Sequence, residues 1–182
     1  MSRLRIYAHD NADEILFETS DAGTIAGRLK PVGIMFERWQ ATAPVSPAMG
    51  EAAILGAYAG EVEKLKRETG VVTADVVSLA PDFADREAMR QKFLQEHTHS
   101  EDEVRFFVAG SGLFTMHVED KVYQLLCEKD DLILVPAGTR HWFDMGPAPD
   151  FTCIRLFTDP AGWVAEYTGE TIAGRYPRMD SL

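Results

Sequence analysis

The sequence contains few cysteines and no long apolar run. Only Cys127 and Cys153 are cysteines among 182 residues, and a chain of this length buries enough surface to fold without a disulfide. We therefore expect two buried free thiols, as in a reducing compartment. No segment is apolar over the length that crosses a bilayer, and charged residues interrupt residues 1–18, which argues against a signal peptide. The expected location is the cytoplasm.

Positive charge is also scarce. The chain has 18 lysines and arginines against 29 aspartates and glutamates, for a formal net charge of -11. Nucleic acids and anionic membrane surfaces repel such a chain, so neither is an expected partner. The charge also favours a monomer, because two copies would repel each other. The sequence therefore predicts a small-molecule ligand.

Histidine is rare, yet three of the five histidines have the spacing of metal ligands. His97 and His99 lie on one face of a predicted strand, and Glu103 returns to that face after a polar turn. His141 follows a Pro-Ala-Gly turn that can deliver it from a neighbouring strand. These residues predict a site with three nitrogen ligands and one oxygen ligand. Two other histidines have no such neighbours and are expected to be ordinary side chains: His9 and His117.

A ligand set without thiolate suits iron(II), nickel(II), manganese(II) or zinc(II). In an octahedral ion it leaves two positions open, where a bidentate anion could chelate. Arg105 has the parity of Glu103 and should point into the same interior. There it could pair with Glu101 or Asp102, or it could hold a bound anion. Its place beside a metal with open positions favours the anion.

Aromatic residues are expected beside the predicted metal. Phe143 shares a face with His141 by parity, and Phe93 lies four residues before His97 at the end of a predicted helix. Apolar walls and one cation describe a pocket for a small substrate with one anionic end and one apolar end.

The first half of the chain mixes strands and helices, and the second half is rich in strands. Strands are predicted over residues 4–8, 15–19, 32–39 and 71–79, and helices over 22–29, 49–68, 84–94 and 161–167. Six further strands are predicted over 104–109, 113–118, 122–127, 132–135, 140–144 and 151–157. Short strands with frequent turns indicate a mainly β protein built as an antiparallel sandwich or barrel.

Two segments resemble the motifs of the cupin superfamily: His97-x-His99-x3-Glu103-x6-Gly110 and Pro136-x-Gly138-x2-His141. Longer stretches closely resemble the acireductone dioxygenase family of bacteria, from about residue 32 to residue 178. They are FERWQ at 36–40, EHTH at 96–99, DEVRFF at 102–107, LCEK at 126–129 and HWFDMG at 141–146. The resemblance implies a cupin-type antiparallel β-barrel (jelly roll) with a few peripheral α-helices. We expect a single domain over 1–182: about 1–95 packed on the barrel, a metal-binding barrel core at about 96–158, and a C-terminal helix and tail at 159–182.

The resemblance also implies a reaction. Members of this family work in methionine salvage, where they cleave 1,2-dihydroxy-5-(methylthio)pent-1-en-3-one with O2. With Fe(2+) the products are formate and 4-(methylthio)-2-oxobutanoate. With Ni(2+) they are 3-(methylthio)propanoate, formate and carbon monoxide. The resemblance therefore implies an enzyme with one Fe(2+) or Ni(2+) per chain and a small acireductone substrate.

Residue by residue, the resemblance assigns three groups of side chains. The metal ligands are His97, His99, Glu103 and His141. The catalytic group comprises Arg105, which favours the substrate dianion, and Glu96 and Asp102, which are associated with metal incorporation and conformational change. Substrate binding adds an aromatic pocket to Arg105: Phe93, Phe143 and Trp163.

Three other functions are compatible with the motifs. A different cupin metalloenzyme, either a dioxygenase or an isomerase, could use the same ligands on another chelating substrate, and O2 uptake with acireductone distinguishes it. A non-catalytic ligand-binding cupin of the kind found in transcription regulators would need a DNA-binding module, and this acidic chain has no basic helix-turn-helix stretch. A storage barrel would not need Arg105 beside an intact ligand set.

Overall fold

The computed structural model describes residues 1–159 and 164–182, which are mainly antiparallel β-sheet with peripheral helices, as predicted. The strands are β1 Arg3–Ala8, β2 Asn11–Thr19, β3 Met35–Arg38, β4 Thr73–Leu79, β5 His97–Thr98, β6 Glu103–Val118, β7 Lys121–Glu128, β8 Asp131–Val135, β9 Arg140–Asp144, β10 Phe151–Phe157 and β11 Glu166–Tyr167. The α-helices are α1 Ala22–Leu29, α2 Glu51–Ala57, α3 Ala59–Thr69 and α4 Arg86–Phe93. Short 3-10 turns occupy Lys30–Val32, Ile172–Arg175 and Met179–Ser181. None of these helices is long and apolar enough to cross a membrane.

The strands form two sheets that share β6. The first sheet has the order β11-β5-β9-β6-β7-β1-β2, and the second has the order β4-β10-β6-β8-β3. Residues 103–110 of β6 pair with β10, whereas residues 111–118 pair with β7. One strand therefore joins both walls of the barrel.

The predicted turn at 110–112 was wrong, because β6 runs through it without a break. Glycines are usually turn signals, but these two permit a close approach of chain segments. Gly110 has φ +67°, and a Cβ there would lie 1.8 Å from the backbone oxygen of Asp150. A Cβ on Gly112 would lie 2.2 Å from Cζ of Phe143. The strand crosses from one sheet to the other at this point.

The space between the two sheets is filled by one face of each strand. This interior core includes Leu4, Ile6, Phe107, Phe114, Met116, Leu125, Ile133, Phe143, Phe151 and both cysteines, which are free and buried as predicted. The other face of the second sheet is covered by α2 and α3. Since Phe107 faces inward while Val104 and Phe106 face the helices, alternation directs Glu103 and Arg105 into the barrel.

The single helix predicted over 49–68 is two helices, α2 and α3. Tyr58 separates them with φ −115° and ψ 24°, and its hydroxyl donates to the backbone oxygen of Ala43 at 2.7 Å. Gly56 and Gly60 flank the break, and glycine favours the helix poorly. Gly70 ends α3 as its C-cap, with φ 76° in the left-handed region that glycine favours.

Two predicted helix boundaries were wrong. Asp82 precedes the helix predicted over 84–94 and is a candidate cap by its residue type, but the N-cap of α4 is Asp85, whose side chain makes no capping hydrogen bond. The predicted helix at 161–167 lies partly outside the described residues, but Glu166–Tyr167 is strand β11. This short strand pairs with β5, and that tertiary contact overrides the local helical pattern.

Candidate metal centre

The structure brings the four predicted ligands together at one end of the barrel. His97 on β5 is the direct partner of His141 on β9. The candidate ligand atoms of His97, His99 and His141 all lie within 4.8 Å of one another. Oε2 of Glu103 lies 3.9 Å from Nε2 of His99 and 3.6 Å from Nε2 of His141. Two short strands, β5 and β9, and the long strand β6 therefore converge on a common point, and His99 reaches it from the residue that follows β5.

These four side chains are nearly inaccessible, and two of their polar atoms have no partner. Glu103 and His141 are each only 1% exposed. Oε2 of Glu103 and Nε2 of His141 are buried without a hydrogen bond to any described residue. An unsatisfied polar atom in the interior is costly. A cation between the four side chains would remove that cost.

The three imidazoles are oriented from behind by backbone carbonyl oxygens. The pairs are Nδ1 of His97 with Gln95 at 2.7 Å, Nδ1 of His99 with Val164 at 3.3 Å and Nδ1 of His141 with Thr139 at 2.8 Å. Donation from Nδ1 leaves the lone pair on Nε2, which is the tautomer that binds metal. The residues present therefore fit a divalent metal ion.

The protonation states also suit a metal. Burial lowers the pKa of His97, and it lowers the pKa of His141 to about 3. Burial alone would raise the pKa of Glu103, but the positive charge of Arg105 and the neighbouring imidazoles lower it to about 2. At neutral pH the site therefore offers a carboxylate and imidazole nitrogens with free lone pairs.

Arg105 lies in the barrel interior, as its parity predicted. Its Nε donates to Oε1 of Glu103 at 2.9 Å. Its guanidinium carbon lies 4.9 Å from the ring centroids of both Phe114 and Phe143. Glu103 thus presents one oxygen to Arg105 and the other to the imidazoles. Two aromatic faces hold the cation beside the predicted metal position.

The alternative partners suggested for Arg105 were wrong. Glu101 accepts a hydrogen bond from Thr158. Oδ1 of Asp102 accepts from the backbone nitrogen of Ala137 at 2.8 Å, and the nitrogen of Gly138 donates to the carbonyl of His99 at 2.9 Å. Asp102 therefore connects the segment between His99 and Glu103 to the turn at residues 136–138, which leads into β9.

Glu96 directly precedes β5, the strand that carries His97. Its Oε2 is 2.9 Å from Nδ1 of His117, and its Oε1 accepts from the hydroxyl of Thr168 at 2.9 Å. His117, which was expected to be an ordinary side chain, is only 6% exposed. The two partners are 21 positions apart, so no local spacing marks them. His9, in contrast, is exposed, with its ring centroid 5.8 Å from that of His117.

Aromatic rings surround the ligands. Phe143 is buried, and its ring centroid lies 6.1 Å from that of Phe93 and 6.1 Å from that of Phe114. Phe114 stacks on His141 with centroids 5.3 Å apart and an interplanar angle of 16°. Sequence reasoning did not include Phe114 in the site, although it pairs with Phe143 across β6 and β9. Trp163 lies outside the described residues.

The chain is similar to proteins of one named family over most of its length. A model of the ARD/ARD' family matches residues 3–165. A protein from Stenotrophomonas maltophilia (strain K279a), named acireductone dioxygenase, is 54% identical over 178 residues, which are 98% of this chain and 96% of that protein. A protein of the same name from Hahella chejuensis (strain KCTC 2396) is 56% identical over 182 residues, which are 100% of this chain and 98% of that protein.

One solved structure is similar in fold as well as in sequence. It is described as acireductone dioxygenase from Bacillus anthracis with a cadmium ion in the active center. It covers 92% of this chain and 98% of its own, with a TM-score of 0.80 and 27% sequence identity. This likeness confirms the expected cupin-type barrel.

Proposed function

The chain belongs to the ARD/ARD' family, and from this premise we propose that it is an acireductone dioxygenase that cleaves 1,2-dihydroxy-5-(methylthio)pent-1-en-3-one with O2 in methionine salvage. Relatives of that name are 54% and 56% identical over nearly the whole chain. The observation that carries the proposal is the convergence of three imidazoles and one carboxylate inside the barrel.

The proposed metal ligands are His97, His99, Glu103 and His141. Oε2 of Glu103 and Nε2 of His141 support this set, because both atoms are buried and neither has a hydrogen-bond partner among residues 1–159 and 164–182. A divalent ion held there supplies Lewis-acid stabilisation of the bound enediolate. The protein's part is to keep the imidazoles in the Nε2 lone-pair tautomer and to exclude water from the site.

Arg105 is the proposed catalytic cation. A divalent ion, one carboxylate and one guanidinium together carry two positive charges, which match the two negative charges of a substrate dianion. The Nε bond to Glu103 and the rings of Phe114 and Phe143, whose centroids lie 4.9 Å from the guanidinium carbon, hold the guanidinium in place. Arg105 therefore favours the dianion, which is electron-rich enough to react with O2. Glu96 and Asp102 contribute through the segments that they connect.

The apolar wall is the proposed binding surface for the methylthio end of the substrate. Phe143 supports it, because its ring contacts both Arg105 and the neighbouring Phe93. Trp163 completes the proposed pocket. Such a wall also keeps bulk water away from a reactive bound dianion.

We propose Fe(2+) or Ni(2+) as the metal, one per chain. Imidazole and carboxylate ligands suit both ions, so metal supply decides which is bound. The same proposal includes a monomeric single-domain enzyme in the cytoplasm. The net charge of -11 favours separate copies, and two buried free thiols suit a reducing compartment.

The test uses metal-free protein loaded separately with Fe(2+) and Ni(2+). O2 uptake is recorded with acireductone under stopped-flow mixing, and the products are identified by mass spectrometry and by a carbon monoxide assay. We expect O2 uptake with both metals and carbon monoxide only with nickel. Absence of enzyme-dependent O2 uptake with either ion would overturn the proposal. A His141→Ala variant serves as the control for metal in solution.

A further inference from the structure

A hydrogen-bond network surrounds a buried carboxylate next to β5, the short strand that carries His97. Its centre is the carboxylate of Glu96, a residue that is only 1% exposed. Oε2 is bonded to Nδ1 of His117 on β6, and Oε1 accepts from the hydroxyl of Thr168, each at 2.9 Å. The backbone nitrogen of Thr168 also donates to the backbone oxygen of Glu96 at 3.1 Å. Three separate segments of the chain meet at this one side chain.

The network compensates for a costly burial. A carboxylate removed from water is tolerated when hydrogen bonds satisfy its oxygens. Each oxygen of Glu96 has a donor here, and the two donors come from residues 117 and 168, far apart in sequence. Glu96 lies outside β5, which begins at the next residue, so its position is determined by these tertiary contacts.

The strand that carries His97, β5, has little intrinsic rigidity. β5 contains only His97 and Thr98. Its ladder to β9 consists of the single pair His97 with His141, and its ladder to β11 has two pairs. Nδ1 of His97 bonds to the carbonyl of Gln95, so the backbone on both sides of Glu96 sets the direction of the imidazole. A shift of Glu96 would therefore turn the Nε2 atom of His97 away from the common point.

We propose that His117 and Thr168 are positioning residues that hold the His97 imidazole in its metal-binding orientation by way of Glu96. Their function is to raise the affinity of the site for its divalent ion. Partners that orient a ligand in this way typically account for about 10-fold to 100-fold in metal affinity. The proposal rests on the assignment of His97 as a ligand, which belongs to the proposed function.

The test compares paired variants that differ in one hydrogen bond. His117→Leu removes the donor at similar size, whereas His117→Asn keeps an amide N–H near the position of Nδ1. Thr168→Val removes the hydroxyl, whereas Thr168→Ser keeps it, and the exposure of Thr168 makes both tolerable for folding. The dissociation constant of each metal-free protein for Ni(2+) is measured by competition with a chromophoric chelator.

We expect the Leu and Val variants to bind Ni(2+) at least about 10-fold more weakly than the parent, and the Asn and Ser variants to recover most of the loss. Thr115→Val is the matched control. Thr115 lies on the same strand as His117, is fully buried, and has a hydroxyl without a partner among the described residues. Its replacement should leave the Ni(2+) affinity unchanged.

Two outcomes would overturn the proposal. His117→Leu could lower the melting temperature of the metal-free protein while its Ni(2+) affinity stays at the parental value, which would make the network purely structural. Alternatively, the His117→Asn variant could bind Ni(2+) as weakly as the His117→Leu variant. Loss of the hydrogen bond to Glu96 would then be excluded as the cause of the weaker binding. Failure of the proposed function is separate, because it would appear as unchanged Ni(2+) affinity in His97→Ala or as absent O2 uptake in the parent.

Discussion

In the candidate metal centre, the hydrogen bonds and distances distinguish what each side chain contacts. Glu103 uses one oxygen for Arg105 and leaves the other for the ligand cluster. Short-range spacing was sufficient to predict the face shared by His97, His99 and Glu103, because alternation along a strand is a local rule. The partners of Glu96 and Asp102 could not be predicted, since they come from β6, the 136–138 turn and the segment after β11.

Arg105→Ala should keep the metal and lose most of the turnover. The substitution removes the cation that we propose to favour the substrate dianion but leaves the four proposed ligands intact. Elemental analysis gives the metal content, and O2 uptake gives the rate. We expect a loss of at least about 100-fold, since pre-organised charge stabilisation of this kind is worth about 3 kcal/mol or more.

Arg105→Lys is the control for that experiment. Lysine keeps the charge but lacks the planar fork and its stacking on Phe114 and Phe143, so partial recovery of the rate is expected. If Arg105→Ala instead loses the metal together with the activity, Arg105 supports Glu103 and has no direct role with substrate.

Among the helices and strands, close contacts at glycines and contacts with distant segments explain most differences between the predicted and the observed elements. The Gly-Ser-Gly stretch at 110–112 predicted a turn, but close contacts with Asp150 and Phe143 require glycine inside a continuous strand. The helix predicted over 49–68 breaks at Tyr58, whose hydroxyl is held by Ala43. Residues 166–167 form a strand because β5 offers an edge. In each case a distant segment decides the local conformation.

Gly112→Ala should destabilise the protein and disturb the aromatic wall. The added Cβ would lie 2.2 Å from Cζ of Phe143, so the ring must move. Overpacking of this kind costs about 1–3 kcal/mol. Chemical denaturation measures the cost, and a raised KM for acireductone reports displacement of Phe143.

Gly27→Ala provides the contrast. Gly27 lies in α1, and a Cβ there meets nothing within 4 Å. Alanine should stabilise the helix by about 0.5–1 kcal/mol relative to glycine. Equal destabilisation by both substitutions would contradict the assignment of the Gly112 effect to Phe143.

An ion pair connects α4, the end of β9 and the C-terminal tail. Arg90 donates to both oxygens of Asp144, at 2.7 Å and 3.0 Å, and to Asp180 at 2.6 Å. Burial alone would raise the pKa of Asp144, but the hydrogen bonds from Arg90 and from the backbone of Met179 and Gly146 lower it. The three elements that close this side of the barrel therefore depend on one buried cation.

Arg90→Met should lower the free energy of unfolding by about 3 kcal/mol at neutral pH, because it leaves the carboxylate of Asp144 buried without its cation. A carboxyl whose folded pKa is lowered stabilises the protein above its unfolded pKa of about 3.9, and that contribution disappears as the pH falls through the folded value. Urea denaturation at neutral pH and in acid measures both effects.

The Arg90 and Asp144 double variant decides the interpretation. In Arg90→Met with Asp144→Asn the buried charge is absent, so less stability should be lost than in Arg90→Met alone. Additive losses would contradict a direct coupling between the two residues.

For the whole molecule, the alternation of short strands and turns was sufficient to predict an antiparallel sandwich or barrel. The family resemblance specified a cupin-type barrel, and the similar solved structure confirms it. The low cysteine count and the expected reducing compartment predicted free buried cysteines correctly. The sharing of β6 between both sheets could not be predicted from sequence, because it depends on which strands meet each half of one continuous strand.

Removal of the metal should lower the thermal stability of the whole barrel. An ion that binds only the native state stabilises it by about 4 kcal/mol when its free concentration is 1,000 times the dissociation constant. Oε2 of Glu103 and Nε2 of His141, which lack a hydrogen-bond partner in the described part of the chain, also predict that the metal stabilises the fold. Calorimetry with and without chelator measures the shift in Tm, and His141→Ala should show little response to added metal.

Because β6 belongs to both sheets, the strands around the barrel differ in how firmly they are held by hydrogen bonds. β6 has hydrogen-bonded neighbours on both edges and carries Glu103 and Arg105, whereas β5 and β11 have two residues each and end the first sheet. Amide hydrogens of β6 should therefore exchange with deuterium far more slowly than those of residues 97–98 and 166–167. Local opening that admits an ion or a small organic molecule should therefore cost the least free energy on the side formed by β5 and β11.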